Sequence, residues 1–236
     1  MLYHIVISHR QPEYITKFPK GSVFVFDAIT DADSATCEKY GYPYVTVDTE
    51  GNRGANRNAG LARVFRDYHL KDSDIVEFFD GDRFPVKYEP KRVMSLMDEH
   101  GIDCMLYTCE TDIRSTRIHI PCSGATIIDT GTLGNPFYSC GFAMCVGAIR
   151  KAMDFNGGIL FEERFTRWGV EDQYLGLVCD HVGMTVGITQ ETILNGCVGG
   201  DSDEHDDYRD SLQEYVDIVK EKGLGIRSES RAFLVV

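Results

Sequence analysis

Asp80-Gly81-Asp82 sets two carboxylates on either side of a residue with no Cβ, so the backbone can turn while both acids approach one point. That donor set suits a hard cation. Magnesium or manganese takes one or two protein carboxylates and fills its remaining positions with water and phosphate oxygens, which here means a diphosphate. Upstream, Asn52-Arg53-Gly54-Ala55-Asn56-Arg57-Asn58-Ala59-Gly60-Leu61 brings glycines for close approach, Arg53 or Arg57 to reach phosphate, and Asn58 to hydrogen-bond or cap. Downstream, Trp168-Gly169-Val170-Glu171-Asp172 puts two adjacent acids at a helix start, where the dipole favours their ionised forms. One acid can act as a base and the other as a hydrogen-bond acceptor, while the only tryptophan offers a flat apolar face to a sugar ring. Each segment alone also has an ordinary structural reading: an Asp-Gly turn, a solvated helix start, first-turn acids beside a core tryptophan.

The elements that must position these residues follow from hydrophobic period. Tyr3–Ser8, Ser22–Asp27 and Tyr44–Val47 are short β-branched and aromatic runs, and Asp31–Tyr40 between the last two reads as a capped helix. Ala55–Tyr68 has helical apolar spacing. Ile75–Phe79 is nearly all apolar, as expected of a central strand buried on both faces, and Asp80 lies just beyond it, at the edge where open α/β sheets bind ligands. Pro90–His100 reads as a helix and Cys104–Cys109 as a strand; Phe142–Met153 reads as a strand passing into a helix. Glu171–Val182 reads as a further helix, Met184–Ile188 as the strand that closes the sheet, and Asp206–Lys222 as an amphipathic C-terminal helix. Residues Glu110 to Asn135 suggest a hairpin or long surface loop placed to meet an acceptor. The alternating order predicts an α/β fold with a central, mostly parallel sheet flanked by helices.

With 236 residues and 43% apolar content, one domain spanning 1–236 is expected, with a nucleotide-binding half over about 1–110 and an acceptor-binding half over about 111–236. The net charge of −13 argues against nonspecific nucleic-acid or anionic-lipid binding, and makes a cation the expected help for an anionic substrate. No run approaches the roughly 18 consecutive apolar residues of a membrane span, and the start passes into strand-like sequence without a basic leader, so a soluble, cytoplasmic protein is expected. The eight cysteines contain no CxxC pair and read as reduced, mostly core residues.

Together the segments resemble the inverting GT-A (Rossmann-like) glycosyltransferases over about Tyr3 to Val186. The first half is similar to the family-2 type and the second to the galactosyltransferase and chondroitin-polymerase type. Phe24-Val25-Phe26-Asp27-Ala28-Ile29-Thr30-Asp31 resembles the family's base-contacting strand and acid, without its usual Asp-Gly-Ser. Arg57-Asn58-Ala59-Gly60 matches the Arg-Asn-x-Gly helix start and Phe78-Phe79-Asp80-Gly81-Asp82 the metal motif. Gly141-Phe142-Ala143-Met144, Gly157 to Glu163 and Trp168 to Asp172 follow in the expected order. The resemblance implies a hexosyltransferase of polysaccharide biosynthesis that uses a UDP-sugar donor and a carbohydrate or glycoconjugate acceptor. It implies Mn2+ or Mg2+ held by Asp82, with Asp80 on metal or ribose and a late histidine, best matched by His205, completing the shell. It further implies Asp27 and Arg57 toward the donor, Asp172 as base, and Glu171 with Trp168 orienting the acceptor. His9, near the end of the first strand, lies close to the expected nucleotide position, although a structural role suits it better. A sugar-phosphate nucleotidyltransferase and a non-catalytic carbohydrate-binding module are the competing expectations. The Trp168 to Asp172 segment speaks against the former, and the joint presence of Asp80, Asp82, Arg57 and Asp172 against the latter.

Overall fold

The computed structural model describes residues 1–8, 12–109, 126–129, 141–165, 170–195, 206–224 and 232–235, with backbone only for 126–129, 206–212 and 232–235. Strands β1 (Leu2–Ser8), β2 (Val23–Asp27), β3 (Tyr44–Val47) and β4 (Ile75–Asp80) lie in the order β3-β2-β1-β4, all parallel. The period of two decides their cover. Ile5, Val23, Val25, Val76 and Phe78 enter one buried cluster, whereas Val6, Phe24, Phe26, Ile75 and Phe79 enter another. Both faces therefore need helices. The first receives Leu61 and Val64 of α2 (Arg53–Asp67); the second receives Cys37 of α1 (Asp31–Tyr40).

Strand β5 (Pro85–Tyr88) leads into α3 (Pro90–His100), whose Val93, Leu96 and Met97 cover the second face, and then into β6 (Cys104–Cys109). Beyond β7 (Thr126–Asp129), β8 (Gly141–Cys145) inserts between β4 and β6, antiparallel to both. Ile149 and Ala152 of α4 (Val146–Phe155) and Tyr174 and Val178 of α5 (Glu171–His181) complete the first face. Strand β9 (Val186–Leu194) runs parallel to β6, then α6 (Asp206–Glu221) leads to β10 (Ala232–Val235), which joins β9 to β7.

The resulting ten-stranded order is β3-β2-β1-β4-β8-β6-β9-β10-β7, with β5 on β9. The chain is thus mixed α/β with β1 to β4 all parallel, as the alternating order predicts. One expectation needs correcting. Met184–Ile188 does not close the sheet: the strand starts at Val186, continues to Leu194, and has β10 and β7 beyond it. The run looked terminal because polar Thr189, Gln190 and Glu191 interrupt its apolar pattern, where β6 and β9 change register after Tyr107.

Local signals explain the helix ends. Thr30 and Asp33 form a reciprocal capping box on α1. Asn52 caps α2 by accepting from the Ala55 amide. Gly60 is where α2 touches the sheet: a Cβ there would lie 2.5 Å from Ile5 and 2.9 Å from Val25. Among the described residues no helix is long and apolar enough to cross a membrane. Cys37, Cys104 and Cys145 are free thiols, and burial raises that of Cys145 to about 11, which suits inert packing.

Candidate active site

Chain order β1, β2, β3 moves outward in one direction and β4 then crosses back to the other side of β1, creating a topological switch at the carboxyl ends of β1 and β4. Asp80 ends β4 there. Gly81 donates its amide to the Ile7 carbonyl at 2.6 Å, and a Cβ on it would stand 2.8 Å from both that oxygen and the Ser8 Cα. Its small size therefore serves close approach between two strand ends. A left-handed turn is not the reason, because Gly81 is not among the positive-φ glycines.

The turn is tied down on its far side by a residue outside the three segments that carry the sequence signal. Asn195, just past β9, donates its side-chain amide to the Asp82 carbonyl at 2.9 Å, and its backbone amide to the Phe84 carbonyl at 3.0 Å. A lone asparagine 113 positions away from Asp82 carries no local signal of that contact. The Asp82 side chain itself is 54% exposed, with Arg83 Nε 4.0 Å away.

Arg57 is the centre of the arrangement. Its Nη2 donates to Asp80 Oδ1 and its Nη1 to Glu171 Oε1, both at 2.7 Å, while its guanidinium lies 5.3 Å from the Phe161 ring centre. It is 1% exposed and Glu171 2%. The arginine expected to reach out to a phosphate is thus enclosed, and the glutamate expected to face an acceptor is buried against it. Burial pulls the guanidinium toward its neutral form, but Asp80 and Glu171 outweigh this and raise its pKa. The two acids divide. Burial holds Asp80 above the usual carboxylate range despite Arg57 and Arg53, whereas for Glu171 burial is overcome by Arg57, Arg53 and the hydrogen bond from Arg57, which lower it.

Asp172 is the next residue of α5. Its Oδ1 accepts the Gln173 amide at 2.7 Å, and its charge acts on Arg57. Asn58 fastens α2 to the segment before α5: its amide donates to the Phe161 carbonyl at 2.8 Å and its oxygen accepts the Phe161 amide at 3.1 Å. Asn52 adds a bond to the Glu163 carbonyl at 2.7 Å.

Asp27 ends β2 at the same edge, yet its carboxylate is engaged by its own chain. It accepts from the Gly51 amide at 2.5 Å and from the Thr49 hydroxyl at 3.0 Å and amide at 3.3 Å. Burial would raise its pKa; the bonds from Gly51 and Thr49 prevail and lower it. It shapes the turn entering α2. Trp168, His205 and His9 lie outside the described residues.

Among the described residues no group of three or more His, Cys, Asp or Glu is placed to hold a metal ion. The pair Asp80 and Asp82 fits magnesium or manganese on its chemistry, since those ions need only one or two carboxylates when phosphate and water complete the shell.

This edge geometry on this strand order is the GT-A fold, and comparison with solved structures agrees. TarS of S. aureus superimposes with a TM-score of 0.61 at 17% identity, covering 93% of this chain and 40% of TarS. Residues 1–349 of TarS in complex with UDP-GlcNAc give 0.60 at 17% identity, covering 93% of this chain and 67% of that one. Glucosyl-3-phosphoglycerate synthase from Mycobacterium tuberculosis, in complex with Mn2+, UDP and glucosyl-3-phosphoglycerate, gives 0.59 at 12% identity, covering 100% of this chain and 88% of the synthase. No protein-family model and no curated protein matches the sequence. The likeness is therefore one of fold.

Proposed function

We propose that the chain is a metal-dependent inverting glycosyltransferase that moves a sugar from a nucleotide-sugar, in the first place a UDP-sugar, to a hydroxyl of a carbohydrate or glycoconjugate. The observation that carries this reading is the 2.7 Å pairing of Arg57 with both Asp80 and Glu171, which draws three sequence segments together at one sheet edge. The fold neighbours support the donor class, because two of them were captured with UDP-GlcNAc or with UDP and Mn2+.

Asp82, with Asp80 and with His205 from outside the described residues, would hold Mn2+ or Mg2+. The bound cation supplies positive charge against the departing nucleoside diphosphate. Asp172 accepts the proton of the acceptor hydroxyl as that oxygen attacks the anomeric carbon from the face opposite the leaving group, which inverts the centre. Trp168 stacks on the acceptor ring. The burial of Glu171 against Arg57 favours a supporting role for it, with acceptor contact falling to Asp172 and Trp168.

The test is a panel of nucleotide sugars incubated with and without Mn2+ and scored for nucleoside diphosphate release. No metal-dependent release and no binding of any donor would sink the proposal; pyrophosphate formed from a nucleoside triphosphate and a sugar phosphate would replace it with a nucleotidyltransferase.

A further inference from the structure

Arg57 is ill placed to touch a diphosphate and well placed to do something else. It sits on the second turn of α2, a helix that cannot slide: Gly60 lies against Ile5 and Val25, and Asn52 and Asn58 hold the Phe161 to Glu163 backbone. Within that frame both terminal nitrogens of the guanidinium are committed, one to the end of β4 and one to the start of α5, in surroundings closed by Phe161. Val170, at the cap of α5, makes no side-chain capping bond. Anchorage of that helix start through Glu171 and Arg57 is correspondingly important.

We infer that Arg57 is a positioning residue: a rigid strut that sets the start of α5, and with it Asp172, at a fixed offset from the donor-side carboxylates of Asp80-Gly81-Asp82. The inference rests on the transferase reading for its catalytic consequence, and on the two ion pairs alone for its structural one. A guanidinium can span two carboxylates because its donors form a planar fork. A lysine ammonium keeps the charge as a point on a flexible stem and cannot hold two acids at that spacing. Loss of the strut shifts the base relative to the donor, and misplacement by about 1 Å can cost on the order of a hundredfold in rate.

The experiment compares wild type, Arg57→Lys, Glu171→Gln and the double variant. UDP binding in the presence of Mn2+ is measured by calorimetry, transfer by steady-state kinetics with the donor found in the panel, and deuterium uptake is followed over the first turn of α5. Arg57→Lys is expected to bind UDP within about threefold of wild type while kcat falls about a hundredfold, and to exchange faster over residues 170–174. The double variant is expected to be no worse than Arg57→Lys alone, since one link has been cut twice.

Parallel losses of UDP affinity and kcat in Arg57→Lys would overturn the inference by making Arg57 a donor contact, as would additive losses in the double variant. If Arg57→Lys does not fold, Glu171→Gln decides: lowered kcat at unchanged UDP affinity supports the strut, and unchanged kcat removes it. Faster exchange over residues 170–174 in variants of a protein that neither binds nor turns over any donor of the panel would uphold the structural link while defeating the transferase reading.

Discussion

Strand β4 carries two acids three residues apart, Glu77 buried and Asp80 only partly so, and they have opposite fates. Glu77, in mid-strand, is enclosed by β1, β5 and β6: Tyr107 donates to one oxygen, Tyr88 to the other at 2.6 Å, and His4 Nε2 lies 3.1 Å from it and 2.8 Å from the Tyr88 oxygen. Since Tyr88 gives its proton to Glu77, His4 is the donor to Tyr88. The cluster is closed on itself, and burial together with Glu77 raises the pKa of Tyr88 and of Tyr107. Asp80, at the strand end, is met instead by a fixed cation on one side and by the exposed Asp82 turn on the other. A buried charge is thus no mark of a site in itself. Its place along the strand decides whether its partners come from the core or from a ligand.

This contrast can be broken in measurable ways. Arg57→Ala leaves the buried Glu171 and the partly buried Asp80 without their shared cation, and is expected to lower stability by about 3–5 kcal/mol in urea unfolding. An effect as small as that of an exposed pair would deny the trio its burial. Tyr107→Phe strips one donor from Glu77 and should cost about 1–3 kcal/mol, with kcat of the folded protein unchanged; a large loss of kcat would place Glu77 in the same unit as Asp80. Gly81→Ala should lower stability by about 1–3 kcal/mol through overpacking against Ile7 and Ser8, and weaken Mn2+-dependent UDP binding by shifting Asp82. Normal binding would mean that the strand ends can part freely.

The smallest effect concerns Asp27. Because its folded pKa is depressed, its stabilising contribution is complete above the ordinary aspartate value of about 3.9 and is lost as pH falls through the lower folded value. Asp27→Asn should therefore cost about 1 kcal/mol at pH 7 and flatten the acid limb of a urea-midpoint profile between pH 7 and pH 3. An unchanged acid limb would show that the bonds from Thr49 and Gly51 do not favour the ionised form.

What could be read from the sequence was whatever local pattern controls. Apolar runs located β1 to β4, Pro90 and the apolar spacing after it located α3, and Asp80-Gly81-Asp82 fell at a strand end because a run apolar but for Glu77 stopped there. Residues that act across distance were legible in type and not in role. Arg57 is visibly a cation near a helix start, but nothing local announces that Glu171, 114 positions later, will meet it. Asp27 looked available for a ligand until the 49–51 turn folded back onto it. Strands β5 and β10, of four residues each, were not expected: Pro85 and Lys87 leave β5 no apolar run to read.

The insertion of β8 between β4 and β6 has a consequence during synthesis. A nascent chain emerging as far as Cys109 holds every strand of the parallel half, yet the edge of β4 that β8 will cover, with Phe78 and Phe79 on it, still waits for residues 141–145. An uncovered apolar edge is a template for pairing with another chain. The half that carries β1 to β4 therefore leaves the ribosome with one edge of its sheet unpaired. Its last neighbour arrives from the other half, and the protein becomes safe from self-association only when both have been made.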